Sequence, residues 1–356
     1  MVEKLDQIEV LKSLDPKDMY SAVYNLPEQI EKAAEVSYAT PIKSVSDNIE
    51  KVLVLGMGGS AIGGDVLQSA LFKEARFPIY VNRDYDLPNW VDSKTLVFAV
   101  SYSGNTVETL NSAKAAYDKG ASVVAVTSGG KLKEFANEKN LTLVEIPSGM
   151  APRAAIGYVT IPSFVVLEKI GAISSKKSDI EETVNYLKKV RESFKIEVPT
   201  EENVAKKVAK MIFKRIPVIY AVEEKWKVAA YRWKCQINEN SKYPAFYHFF
   251  PELNHNEIMA WEAMDEVIKP LTLIFLYTSL EGEMKIRVEF MKEKISERGV
   301  PIFMWQAEGK SPLTQFFSMT YLGDFATVYL AYLADKDPFS IGYINELKMR
   351  IGQPLS

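Results

Sequence analysis

The chain has 356 residues, 47% hydrophobic and 25% charged, enough apolar material for about two ordinary domains. With 43 basic and 46 acidic residues and a net charge of −3, it has no Lys and Arg excess to hold a phosphate backbone, which argues against a nucleic-acid partner. Two His and one Cys in the whole chain exclude an internal disulfide, a Cys/His zinc cluster and a paired-cysteine redox centre.

Residues 1–45 read as a helical arm, with apolar residues at helical spacing and Pro16, Pro27 and Pro41 as punctuation. Its opening carries Glu3, Lys4, Asp6, Glu9, Lys12 and Asp15, so no apolar signal core can be drawn through it. Short β-branched runs follow at Lys51–Gly56, Ile79–Val81, Leu96–Val100, Ser122–Val126 and Thr142–Val144, with helical stretches near 105–119 and 131–138. Strands alternating with helices predict βαβ units and a parallel sheet. The longest uncharged apolar stretch, Ala154–Leu167, contains Gly157 and Pro162 and stops at Glu168 and Lys169, short of the about 18 residues of a membrane span. The expectation is a soluble protein with no membrane partner, of a reducing compartment and most simply the cytoplasm.

A charged stretch, 174–205, reads as a helical linker, after which the rhythm resumes. Strands are predicted at Val218–Ala221, Ala245–Phe249, Leu271–Tyr277 and Ile302–Trp305, and helices near 225–240, 252–262, 282–298 and 313–334. The predicted organisation is an arm (1–45), an α/β domain (46–173), the linker, a second α/β domain (206–335) and a C-terminal helix (336–356). The two halves share a rhythm but no residue-level repeat.

Two loops in the first half carry chemistry. Gly56-Met57-Gly58-Gly59-Ser60-Ala61 follows a strand and opens a helix, where glycines let backbone N–H groups approach an anion. Alone it fits a plain tight turn, a dinucleotide loop of the G-x-G-x-x-A type, or a phosphate cradle completed by Ser60. A Walker A loop is excluded, because no Lys-Ser or Lys-Thr pair follows. The second loop, Ser101-Tyr102-Ser103-Gly104-Asn105-Thr106, sits at the same end of another strand. Asn105 and Glu108 have capping-box spacing, yet that leaves the hydroxyls of Ser101, Ser103 and Thr106 unexplained. Loops at the carboxyl ends of neighbouring parallel strands face one crevice, so these hydroxyls and Ser60 would surround one small tetrahedral anion. The acidic residue a dinucleotide site wants about 20 residues on is not in place, since Asp84 comes late, behind Asn82 and Arg83.

The strings GMGGSAIGGD and SYSGNTVET, in this order, resemble the sugar isomerase (SIS) family, which binds phosphosugars. In the second half, Glu239 lies in a polar Asn-Glu-Asn-Ser cluster near a helix end, and His255 in an Asn-His-Asn-Glu cluster at the start of another helix. The stretches Arg232-Trp233-Lys234-Cys235-Gln236-Ile237-Asn238-Glu239-Asn240-Ser241-Lys242 and Pro251-Glu252-Leu253-Asn254-His255-Asn256-Glu257, with Pro152-Arg153-Ala154-Ala155, look like the bifunctional phosphoglucose/phosphomannose isomerases of archaea and bacteria.

That resemblance implies two SIS-like three-layer αβα domains with mainly parallel sheets. It implies an aldose–ketose isomerisation of hexose 6-phosphates without metal or cofactor. Glu239 would move the proton between C2 and C1, His255 would open the ring, and Arg153 would face the enediolate. Gly59, Ser60, Ser101, Ser103 and Thr106 would hold the phosphate. His255 would come from the neighbouring subunit of a homodimer. Some members place a catalytic Lys on a late helix; in the stretch 323–330 this chain has Tyr329 there. Thr320, just before it, is a candidate for accepting mannose stereochemistry. His248 reads as a strand or turn residue, Cys235 as packing, and the indoles of Trp226, Trp233, Trp261 and Trp305 as core or interface. A non-catalytic phosphosugar sensor and a nucleotide-dependent dehydrogenase are the competing readings.

Overall fold

A computed structural model describes residues 3–352. In chain order the first elements are α1 (Ile8–Ser13), α2 (Met19–Tyr24), α3 (Leu26–Ala39), β1 (Lys51–Leu55), α4 (Gly58–Ala70), β2 (Ile79–Asn82), β3 (Thr95–Val100), α5 (Val107–Asp118), β4 (Ser122–Thr127), α6 (Gly130–Glu138), β5 (Thr142–Glu145) and α7 (Ile156–Lys169). Then come α8 (Lys177–Phe194), α9 (Val204–Ile212), β6 (Ile216–Ala221), α10 (Lys227–Gln236), β7 (Phe246–Phe249), α11 (Asp265–Ile268), β8 (Leu271–Tyr277), α12 (Gly282–Glu297), β9 (Ile302–Gln306), α13 (Pro312–Leu333) and α14 (Gly342–Arg350). The chain forms two compact units, one of residues 25–184 with 341–352, the other of residues 3–24 with 185–340. Within the stretch 336–356, α14 covers Gly342–Arg350, and residues 353–356 lie outside the described residues.

In the first unit a five-stranded sheet runs in the order β2-β1-β3-β4-β5, every neighbour parallel. All six residues of β3 and all six of β4 are buried, as in a sheet covered on both faces. Leu53, Val97, Ala99 and Val123 pack against Leu110 and Ala113 of α5 and Phe135 of α6. The alternate residues point to the opposite face. There α4 lies over Val54, α7 packs on α4, and α3 packs on α7.

In the second unit a four-stranded parallel sheet has the order β7-β6-β8-β9. Tyr220, Leu273 and Phe275 pack against Val288, Met291 and Ile295 of α12. The helix α10 packs on β6, β7 and α13, and α13 also packs on α9 and α2. Nearly every residue of α13 is buried, which explains why its sequence is apolar all round and lacks a polar stripe. No helix among the described residues is long and apolar enough to cross a membrane.

Two local expectations are corrected. The stretch 252–262 is not one helix but two 3-10 turns, Glu252–His255 and Glu257–Glu262, broken at Asn256. The Asn256 side chain accepts from the Glu257 N–H at 2.6 Å and donates to Glu252 Oε1 at 3.0 Å, offering the backbone a local alternative to helical bonding. His255 therefore closes a turn and does not open a helix. The Asn105–Glu108 capping box does not form either. The N-cap of α5 is Thr106, and Asn105 Oδ1 instead accepts from the Lys131 N–H at 3.2 Å, tying its loop to the start of α6.

Candidate active site

The strand order of the first unit reverses between β1 and β3, because β2 lies to one side of β1 and β3 to the other. Ligands of open parallel sheets bind at such a switch, outside the carboxyl ends of the strands. The two loops read from the sequence leave β1 and β3 at this point. Both lead into helices, α4 and α5, whose N-cap residues Met57 and Thr106 make no side-chain cap bond; in α4 the Ser60 N–H donates to the Met57 carbonyl at 3.1 Å.

The hydroxyls there are ordered by their own bonds. Ser101 Oγ donates to Thr106 Oγ1 at 2.9 Å and accepts from the Gly104 N–H at 3.1 Å. Thr106 thereby receives a hydrogen bond and keeps its own O–H to give. Ser103 is exposed, and its Oγ accepts from the Asn105 N–H at 3.3 Å. Ser60 joins the group from the other loop, its Oγ accepting from the Tyr102 N–H at 3.4 Å. The structure thus brings Ser60, Ser101, Ser103 and Thr106 to one mouth. Tyr102, which the sequence did not single out, anchors that mouth: its phenol accepts from the Met150 N–H at 3.0 Å and its carbonyl accepts from Ser128 Oγ at 2.7 Å. Burial pushes this phenol above its ordinary pKa, so it stays a neutral anchor.

Arg153 lies in a 3-10 turn, Pro152–Ala154, that abuts the start of α4. A Cβ at Gly59 would meet the Pro152 carbonyl oxygen at 3.0 Å and Arg153 Cα at 3.2 Å, so glycine is what allows this approach. Arg153 is 4% exposed, a placement that requires partners for its charge. The dinucleotide reading fares poorly. The last residue of β2 is Asn82, whose amide donates to the Asp84 and Asp86 carbonyls, and Arg83 pairs with Asp65. No carboxylate stands at the end of β2 where a ribose would need one.

Glu239 belongs to the second unit. After α10 the chain widens into a π-helical turn, Ile237–Ser241, closed by the Lys242 N–H on the Ile237 carbonyl. Most of the polar string around it faces α13. Arg232 pairs with Asp324 at 2.7 Å, Gln236 donates to the same carboxylate at 3.1 Å, and the Trp233 indole donates to the Met319 carbonyl at 2.8 Å. Burial pushes the Asp324 carboxyl up, and Arg232 and Gln236 work against that. Asn240 and Ser241 are fully buried, whereas Glu239 is only half-buried. π-turns of this kind recur at functional sites.

His255 is exposed at the end of its 3-10 turn, and its neighbours are pinned. Asn254 accepts from Arg287 at 3.4 Å. Glu257 accepts from the Tyr220 hydroxyl at 2.5 Å, and that oxygen accepts from the Trp261 indole at 2.9 Å. A rigid turn therefore displays one imidazole outward. The other histidine, His248, lies half-buried in β7, its Nδ1 accepting from the Phe249 N–H at 2.8 Å.

Tyr329 is in the interior of α13, fully buried, its hydroxyl donating to the Phe194 carbonyl and its ring under Lys206 at 5.7 Å. A side chain at that position meets the helical core and not a sugar. Thr320 is likewise buried, its hydroxyl turned back onto the Phe316 carbonyl at 3.1 Å. Cys235 is half-buried, and burial raises its thiol pKa, the opposite of an activated nucleophile. Among the described residues no group of three or more His, Cys, Asp or Glu is placed to hold a metal ion.

Residues 47–160 match the model of the SIS domain, and residues 201–351 that of the bacterial phospho-glucose isomerase C-terminal SIS domain. A bifunctional phosphoglucose/phosphomannose isomerase of Caldicellulosiruptor bescii is 42% identical, over 94% of this chain and 99% of its own. A D-glucosamine-6-phosphate 4-epimerase of Sulfolobus acidocaldarius is 32% identical, over 79% and 83%. Among solved structures, a hypothetical protein from Thermus thermophilus superposes with a TM-score of 0.73 at 20% identity, covering 97% of this chain and 94% of that one, which shows the shared fold. The chain belongs to the bifunctional phosphoglucose/phosphomannose isomerase family.

Proposed function

We propose that this protein interconverts glucose 6-phosphate and mannose 6-phosphate with fructose 6-phosphate. The two aldoses differ only at C2, the centre that becomes planar in an enediolate, so both reach one intermediate. The phosphate is held by the hydroxyls of Ser60, Ser101, Ser103 and Thr106 and by backbone N–H groups from Gly59 onward. Glu239 takes the C2 proton of the open-chain aldose while the carbonyl electrons move onto O1. It then returns a proton to C1 while the O2 hydroxyl passes its own proton to O1, so that O2 becomes the ketone oxygen and O1 the C1 hydroxyl. Arg153 stabilises the negative charge on the enediolate oxygens. His255 opens the ring by shuttling a proton between the ring oxygen and O1. We further propose a homodimer in which His255 serves the neighbouring subunit, and a cytoplasmic location.

The observation that supports this reading best is Glu239 itself: a single half-buried carboxylate displayed on a π-turn whose neighbours are locked inward. A phosphosugar sensor would not need it. The test is turnover of both aldose phosphates by the Glu239→Gln variant. Loss of a general base is expected to lower kcat about 10²–10⁴-fold, with the phosphosugar still bound. Near-wild-type turnover by a folded Glu239→Gln protein would remove Glu239 from the mechanism. Glucosamine 6-phosphate is the informative control, because one relative is named for that substrate; conversion of it alone would replace the isomerase reading by an epimerase one.

A further inference from the structure

The base sits on backbone that an ordinary α-helix would not provide. In an unbroken helix of 3.6 residues per turn, Glu239, seven residues after Arg232, would lie on the Arg232 side, which faces α13. Ser241, nine residues after Arg232, would lie on the far side. The structure has the reverse: Ser241 is fully buried against α13, and Glu239 is half-buried. The extra residue in the π-turn re-aims both. Such a turn persists only where its surroundings hold it.

Thr327 of α13 contributes two bonds to that hold. The Thr327 carbonyl accepts from Ser241 Oγ at 2.7 Å. Thr327 Oγ1 accepts from Asn240 Nδ2 at 3.0 Å and donates to the Asp324 carbonyl at 2.9 Å. Asn240, Ser241 and Thr327 are all fully buried. Other side-chain bonds at the turn run from Asn238 Nδ2 to the Tyr243 carbonyl, and from Lys242 Nζ to the Asn240 and Asp337 carbonyls. Upstream, Met319 and Asp324 receive Trp233, Arg232 and Gln236. Thr327 thus extends a ladder on α13 to the two residues that follow Glu239 directly.

We propose that Thr327 is a positioning residue for isomerisation, acting through Asn240 and Ser241 to hold the π-turn that aims Glu239; this rests on Glu239 being the base. The Thr327→Val variant keeps the shape and the carbonyl but loses the hydroxyl. It is expected to lower kcat on both aldose phosphates by about 10- to 100-fold, the order expected for a base displaced by about 1 Å. KM should stay within about threefold, because phosphate binding is untouched. With C2-deuterated glucose 6-phosphate, less label should arrive at C1 and more be lost to water, a readout that simple destabilisation does not move. Thr327→Ser, which keeps the hydroxyl, should restore both kcat and label transfer.

Unchanged kcat and label transfer in Thr327→Val, alongside an inactive Glu239→Gln, overturn the positioning role while leaving the base in place. A fall in kcat with no change in label transfer, or one that Thr327→Ser does not reverse, overturns it as well. An active Glu239→Gln removes the base reading first, and the positioning role with it. Should Thr327→Val fail to fold, Asn240→Ala removes the same bond from its other end and is read by the same two measurements.

Discussion

Gly104 leaves the loop after β3 little latitude. Its φ of +70° lies in the left-handed region, and an added Cβ would fall 1.8 Å from the Gly129 carbonyl oxygen and 2.7 Å from Thr127 Oγ1. Gly104→Ala is therefore expected to cost about 2–4 kcal/mol of stability, from left-handed strain plus overpacking, and to raise KM for the phosphosugar by displacing Ser103 and Thr106. Urea denaturation beside steady-state kinetics checks this, and a variant as stable as the parent would contradict the geometry. That a glycine belonged in this loop is legible in the sequence. The atom that forbids anything larger, contributed by the loop after β4, is not. The same split holds for Asn105: its capping spacing with Glu108 is visible in the string, but Lys131, 26 residues on, takes the side chain.

Among the elements, the segment carrying His255 depends on a clamp from the end of α12. The Arg298 guanidinium donates to the Trp261 carbonyl at 2.8 Å, the Ala263 carbonyl at 2.7 Å and Asp265 Oδ1 at 2.8 Å. Hydrogen bonds from Lys269 and Arg298 hold the exposed Asp265 carboxyl down at about 2. A carboxylate depressed in the fold stabilises it above the unfolded value of about 3.9 and loses that contribution as pH falls toward the folded value. Thermal midpoints of the parent should therefore fall more steeply between about pH 4 and about pH 2 than those of Asp265→Asn. The difference is small, because the pair is exposed to solvent; superimposable acid limbs would count against the clamp. Strands were the elements most legible in the sequence, since each β-branched run is bounded by turn residues and the central ones are buried on both faces. The 252–262 segment was not, because Asn256 decides locally between helix and turn.

At the scale of the whole molecule, the two sheets share a plan but differ in chemistry. In the second unit the order reverses between β6 and β8, as it does between β1 and β3 in the first. The loop after β6 carries no hydroxyl cluster. It holds Glu223 at a φ of +84°, accepting from Thr278 Oγ1 at 3.0 Å and paired with Lys225 at 2.9 Å. An ion-paired carboxylate thus stands at the second unit's switch, where the first unit carries hydroxyls. If His255 serves a neighbouring subunit, mixing inactive Glu239→Gln and His255→Ala proteins should regenerate about a quarter of wild-type activity after subunit exchange. Half the dimers are then hybrids, and each hybrid holds one intact site of two. No recovery despite demonstrated exchange would place His255 in its own subunit's site. From the sequence alone came the strand–helix rhythm, the hydroxyl loops and the family resemblance, since these depend on local spacing and residue type. What only tertiary structure decided is which polar residues face inward. Arg232, Gln236, Asn240 and Ser241 are consumed by α13, and Tyr329 and Thr320 sit in the helical core, because a buried polar group must find its partner across the fold and not along the chain.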